Sequence, residues 1–192
     1  MRFFTADLHL GAPDVIDFCD RPYRSVDEMD FALIDNWNAI VFPADEVWVL
    51  GDLAMGRLEV SLERASLLHG EKHLVTGNHD RCWAGGKKDW KKWVSLYEEA
   101  GFMVHNHLPG ATLKVGEFRV CHFPPLEPTI DHKSDRYLAW RPTDGPLLHG
   151  HIHDGWRNHP QHPWTNVGVD VWDYAPVTEA RLLLERLSSY TI

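Results

Sequence analysis

EVWVLGDLA, residues 46–54, is the stretch on which the fold turns. The apolar run 46–50 reads as a buried strand, and it stops at Gly51, where the backbone can turn sharply, just before the acid Asp52. Upstream, Ser25 followed three residues later by Glu28 is a capping box. Met29, Leu33, Ile34, Trp37 and Ile40 then recur at helical spacing, so a helix over about 25–41 is expected. Downstream, a helical pattern over 58–68 leads to a second apolar run, 72–76, which again ends in glycine and a polar residue, Gly77-Asn78. Strands alternating with helices predict parallel βα units and an α/β fold.

The same reading extends to both ends. Residues 2–6, 102–106, 117–121 and 146–149 are further strand-like runs, and 87–100 is a further helix. Thr112 to Cys121, with Gly116 in its middle, has the pattern of a hairpin, so antiparallel strands are expected in the second half. Residues 154–165 read as an exposed loop, 166–169 as a strand, and Thr178 as the N-cap of a closing helix through about 187.

At 192 residues and 22.1 kDa the chain has the size of one domain, 1–192, with no room for a sizeable cap. A net charge of −9 argues against a broad face for long nucleic acid and leaves a small phosphate ester as a compatible partner. Cys19, Cys82 and Cys121 are an odd number without CxxC spacing, which fits reduced thiols rather than a disulfide framework or thiolate zinc site. No apolar run approaches a membrane span, and the first strand begins at once, without a leader pattern, so a cytoplasmic protein is expected. Oligomeric state is left open, with a dimer through exposed Trp or the Pro-rich loop as one option.

The polar residues at the strand ends carry the chemistry. Asp7, Asp52, Asn78 and His122 each follow an apolar run, at the carboxyl ends where open α/β sheets place ligands. His9 lies two residues after Asp7. His151 and His153 share parity in GHIHD, and His149 shares it too but reads as packing. Each block alone has an ordinary reading as a turn or packing residue. Together, carboxylate, amide and imidazole without thiolate form a donor set that suits Mn, Fe, Zn, Ni or Co.

These blocks, Asp7-Leu8-His9, Gly51-Asp52, Gly77-Asn78-His79-Asp80, His122 and Gly150-His151-Ile152-His153, occur in the order of the calcineurin-like metallophosphoesterase signature. The chain resembles that superfamily. CDRPYRSVDEMD, the IDNWN helix and NVGVDVWDYAPV further resemble a compact subgroup from bacteria and their phages. The resemblance implies a four-layer αββα sandwich of two mixed sheets flanked by helices. It implies two divalent metal ions, Mn favoured, one held by Asp7, His9 and His153 and the other by Asn78, His122 and His151, with Asp52 bridging. His79 would stay off the metals as general acid, and Asp80 would orient the loop or the imidazole.

Two ions roughly 3.5–4 Å apart can bridge a water, lower its pKa and present hydroxide to phosphorus. A general acid for the leaving oxygen typically adds about 10²–10⁴-fold in rate. The expected activity is therefore hydrolysis of phosphate esters, foremost small cyclic-nucleotide-type diesters. The alternatives are a phosphomonoesterase or pyrophosphohydrolase of nucleotides or lipid precursors, and a non-catalytic metal-binding scaffold. DLHLGAP resembles the lipid A precursor hydrolases, but those carry Arg where this chain has His79. Arg21 and Tyr23, in the loop after Asp7 and His9, are the expected substrate contacts, since a guanidinium suits phosphate. Two departures from the pattern stand out: Ala12-Pro13-Asp14 after Gly11 where the subgroup carries His, and Met55 where many members carry an acid that supports the catalytic His.

Overall fold

The structure, a computed structural model, describes residues 1–125, 135–142 and 145–189. Its strands are β1 (Arg2–Thr5), β2 (Glu46–Val49), β3 (Glu71–Val75), β4 (Phe102–His105), β5 (Leu113–Val115), β6 (Phe118–Val120), β7 (Leu147–His149), β8 (Trp164–Asn166) and β9 (Val177–Thr178). Its helices are α1 (Asp14–Phe18), α2 (Val26–Ile40), α3 (Leu58–Ala65), α4 (Lys91–Glu99) and α5 (Glu179–Ser189). One sheet has the order β4-β3-β2-β1-β9, the other β5-β6-β7-β8. The first is parallel except for β9, which pairs antiparallel with β1. Both sheets are mixed, and the architecture is an α/β sandwich.

Period-two alternation sorts the side chains of the first sheet. Phe3, Val47, Val49 and Leu74 point outward into a core shared with α1 to α4, where Met29, Leu33 and Trp37 of α2 are buried. Phe4, Leu50 and Val75 point the other way and meet Val115, Phe118, Val120 and Leu148 of the second sheet. Helix α2 begins where its sequence says it should: Ser25 Oγ accepts from Glu28 N at 3.2 Å. Thr178 Oγ1 likewise accepts from Arg181 N at the start of α5, and Leu182 enters the core between the sheets.

Several expectations are corrected. Strand β6 pairs antiparallel with β5, but β6, β7 and β8 run parallel, so the second half is not simply antiparallel. The strand expected at 166–169 lies earlier, at Trp164–Asn166, and Val169–Val171 is a 3-10 turn. The outer face of the second sheet is covered, among the described residues, by aromatic loops rather than helices. Trp83, Phe123 and Trp164, with Tyr137, Trp140 and Trp156, pack with Leu147 and Cys121 there. All three cysteines are free and buried. No helix among the described residues is long and apolar enough to cross a membrane.

Candidate metal centre

The segments after β1, β2 and β3 are tied edge to edge. Asp7 N donates to Gly51 O and His9 N to Asp52 O, both at 3.0 Å, and Leu10 forms a parallel bridge with Ala54. Gly51, at φ +92°, could not be another residue: a Cβ there would strike the His122 imidazole and lie 2.8 Å from Gly77 Cα. Asp80 fastens the third loop to the second. One carboxylate oxygen accepts from Asp52 N and Gly77 N at 2.9 and 2.8 Å, and the other accepts from Leu53 N at 3.0 Å. The sequence reading left Asp80 a choice between loop and imidazole; these bonds go to the loops.

Seven residues converge at this edge. Asp7, His9, Asp52 and His122 are fully buried, while Asn78, His151 and His153 are half-buried. Donor atoms of Asp7, His9 and His153 lie within 4.8 Å of one another, and so do those of Asp7, Asp52 and His122. Asn78 Oδ1 is 3.0 Å from His122 Nε2. Asp52 Oδ2 stands between the two histidines, 3.4 Å from His122 Nε2 and 3.7 Å from His9 Nε2. Asp7 Oδ2 accepts from His151 N at 2.9 Å, joining the first and last motifs.

Backbone conformation is unusual at five of these candidate ligands. Asp7, His9, Asp52, His151 and His153 all have positive φ, between 49° and 76°. The left-handed region is uncommon for side chains other than glycine, and its concentration at one edge marks a functional constraint.

Three of the four imidazoles are oriented from behind. His122 Nδ1 is 2.8 Å from Leu50 O, and a proton there leaves Nε2 as the free donor. His153 Nδ1 faces Asp170 Oδ2 at 3.3 Å, and His9 Nδ1 faces the Met55 sulfur at 3.1 Å. Met55 thus touches His9.

Burial and charge explain the electrostatics. Desolvation pushes the Asp7 carboxyl up to about 6. Burial would also raise Asp52, but His122 and His9 override it and hold this carboxylate low. Burial would lower His122, yet Asp52 raises it to about 9. Asp7 Oδ1 and His9 Nε2 are buried with no hydrogen-bond partner. A divalent cation would satisfy both, and the oxygen and nitrogen donors fit one. Cys19, His153 and Asp170 form a third close group, but the Arg21 guanidinium already neutralises the Asp170 carboxylate.

The expected substrate contacts are corrected here. Arg21 is buried beneath the centre: Nε and Nη2 reach the two Asp170 oxygens at 2.7 and 3.0 Å, while Nη2 and Nη1 donate to Asp7 O and Leu8 O at 2.7 and 2.9 Å. It braces the ligand loop and cannot reach a ligand in the cleft. Tyr23 packs edge-on against Tyr174 at 5.4 Å and does not line the cleft. Sequence placed both residues near the centre, but not on which side of the backbone. His79 is exposed at the cleft, its ring 5.3 Å from that of His9, and its backbone N donates to Asp52 Oδ1 at 2.8 Å. His149 is buried, its ring edge-on to that of Trp156 at 4.9 Å. Asp170 and Met55 escaped the sequence reading as partners of ligands; the one signal was an acid closing NVGVD after the last metal motif.

Fold and site together define an α/β protein with a buried carboxylate and imidazole centre able to hold divalent metal ions. No known protein-family profile matches the sequence. The chain is 30% identical over 188 residues to the Gene 66 protein of Mycobacterium phage L5, covering 88% of this chain and 86% of that one. It is 29% identical over 186 residues to an uncharacterized protein of Methanocaldococcus jannaschii, covering 92% and 85%. The chain belongs to the family of the mycobacteriophage Gene 66 protein. A protein of unknown function from Aquifex aeolicus shares the fold, with a TM-score of 0.66 and 21% identity over 97% of this chain and 98% of that one.

Proposed function

We propose that this protein is a metallophosphoesterase that hydrolyses small phosphodiesters of the cyclic-nucleotide type with two divalent ions, manganese foremost. The observation that carries this reading is the position of Asp52 Oδ2 between His122 and His9. Asp7, His9 and His153 would hold one ion and Asn78, His122 and His151 the other, with Asp52 shared. Such a pair supplies a water of lowered pKa and neutralises phosphoryl oxygens.

The chain's own residues supply the rest. His79, exposed at the cleft and outside the donor groups, donates a proton to the leaving ester oxygen. Its backbone is pinned by Asp52, and Asp80 fixes the loop on which it sits. A cleft of about 580 Å³, lined by His9, Asp52, Asn78, His79, His151 and His153 among others, suits a small ester.

The test is initial rates of metal-stripped protein reloaded with Mn²⁺ on an aryl phosphodiester and its monoester, beside His79→Ala. Diester preference that falls about 10²–10⁴-fold in the variant, with metal content unchanged, is the expected result. Monoester preference would move the protein to the phosphomonoesterases. Absence of turnover with both ions bound would overturn the reading in favour of a scaffold.

A further inference from the structure

One wall of the cleft plays no part in metal binding or proton transfer. Phe18, the last residue of α1, is 74% exposed, yet it lines the cleft with its ring edge-on to His153 at 5.6 Å and 78°. It makes no other ring contact among the described residues, so most of its apolar surface is open to a ligand. Tyr137 stands beside the other ligand set, edge-on to His151 at 5.5 Å and backed by Phe123 at 5.1 Å. The Arg136 guanidinium lies 4.7 Å from the centre of the Tyr137 ring, and both residues line the cleft. Arg136 pairs with no carboxylate among the described residues. Asp14 lines the cleft on the same short helix as Phe18.

We propose that Phe18 is the stacking platform for a nucleobase or similarly flat, uncharged aromatic arm of the phosphate ester, and that Arg136, held on Tyr137, binds the anionic part. The proposal rests on the phosphoesterase reading for the position of the phosphate. The division follows from charge. Asp14 repels an anion at the Phe18 end, whereas a guanidinium already ordered against an aromatic ring loses little freedom on binding phosphate oxygens. A base over Phe18 removes exposed apolar surface from water and needs no sequence-specific hydrogen bond.

The test is calorimetric binding of adenosine 5′-monophosphate and of inorganic phosphate to the Mn²⁺-loaded protein, with bound metal measured in every variant. Wild type should bind the nucleotide more tightly than phosphate. Phe18→Ala should weaken nucleotide binding about 5- to 30-fold while phosphate binding changes less than about 2-fold, and Phe18→Trp should restore it. Arg136→Gln should weaken both ligands by about 10-fold. Equal binding of nucleotide and phosphate by wild type, or unchanged nucleotide binding in Phe18→Ala, would overturn the proposal. A Phe18-dependent nucleotide preference without turnover of any ester would leave the subsite standing and sink the phosphoesterase reading; turnover indifferent to Phe18 would do the reverse.

Discussion

Replacing Arg21 by Leu tests whether the buried guanidinium braces the ligand loop. Arg21 and Asp170 side chains are 0% and 1% exposed. The substitution leaves the buried Asp170 carboxylate without its guanidinium, facing His153 at 3.3 Å, and it also removes the donors that reach Asp7 O and Leu8 O. Removing one partner of a buried pair costs about 3–5 kcal/mol, chiefly the uncompensated charge. For a domain of this size that lowers the melting temperature by about 6–20 °C. The assay is urea and thermal unfolding in chelator, so that metal binding adds nothing to apparent stability. Arg21→Leu combined with Asp170→Leu should recover much of the loss, because an apolar pair carries no stranded charge. A single-variant loss below about 1 kcal/mol, or no recovery in the double variant, would refute the bracing role.

Three further outcomes are expected. Asp80→Asn puts an amide against three converging backbone N–H groups, and it should cost about 1–3 kcal/mol for each donor left unsatisfied, read by urea unfolding. Lys72 is lowered to about 8 by burial, so between about pH 8 and 10.5 the unfolded chain binds the extra proton and stability rises with pH; Lys72→Met should flatten that rise in melting temperatures across the window. Mn²⁺ at about a hundred times its Kd should stabilise the metal-free protein by about 2.7 kcal/mol, reversed by chelator, and Asp52→Asn should show a much smaller gain.

The strands that carry ligands were legible because each announces itself twice, by an apolar run and by the glycine or polar residue that ends it. Glu46 to Asp52 and Lys72 to Asn78 are the clearest cases. Other elements carry no such mark. Strand β9, Val177–Thr178, exists only because β1 offers a free edge, and α1 is too short to show helical periodicity. Strand direction in the second sheet is set by the route of the chain between β6 and β7, which composition does not encode. At the site, residue identity located the donors, but the side each residue faces required the backbone. Arg21 lies near the centre, as its position in the chain suggested, and points inward rather than into the cleft.

The left-handed backbone at five candidate ligands has a cost that their chemistry hides. Such conformations disfavour side chains by roughly 1–2 kcal/mol each relative to glycine, less for Asp, whose side chain bonds locally. Glycine at His151, at φ 76°, would therefore relieve strain while it deletes a donor. Such a variant should melt above the parent in the absence of metal and bind metal worse. For this chain, then, a higher melting temperature is a misleading guide in any screen for improved variants: selection on heat resistance alone would tend to dismantle the centre first.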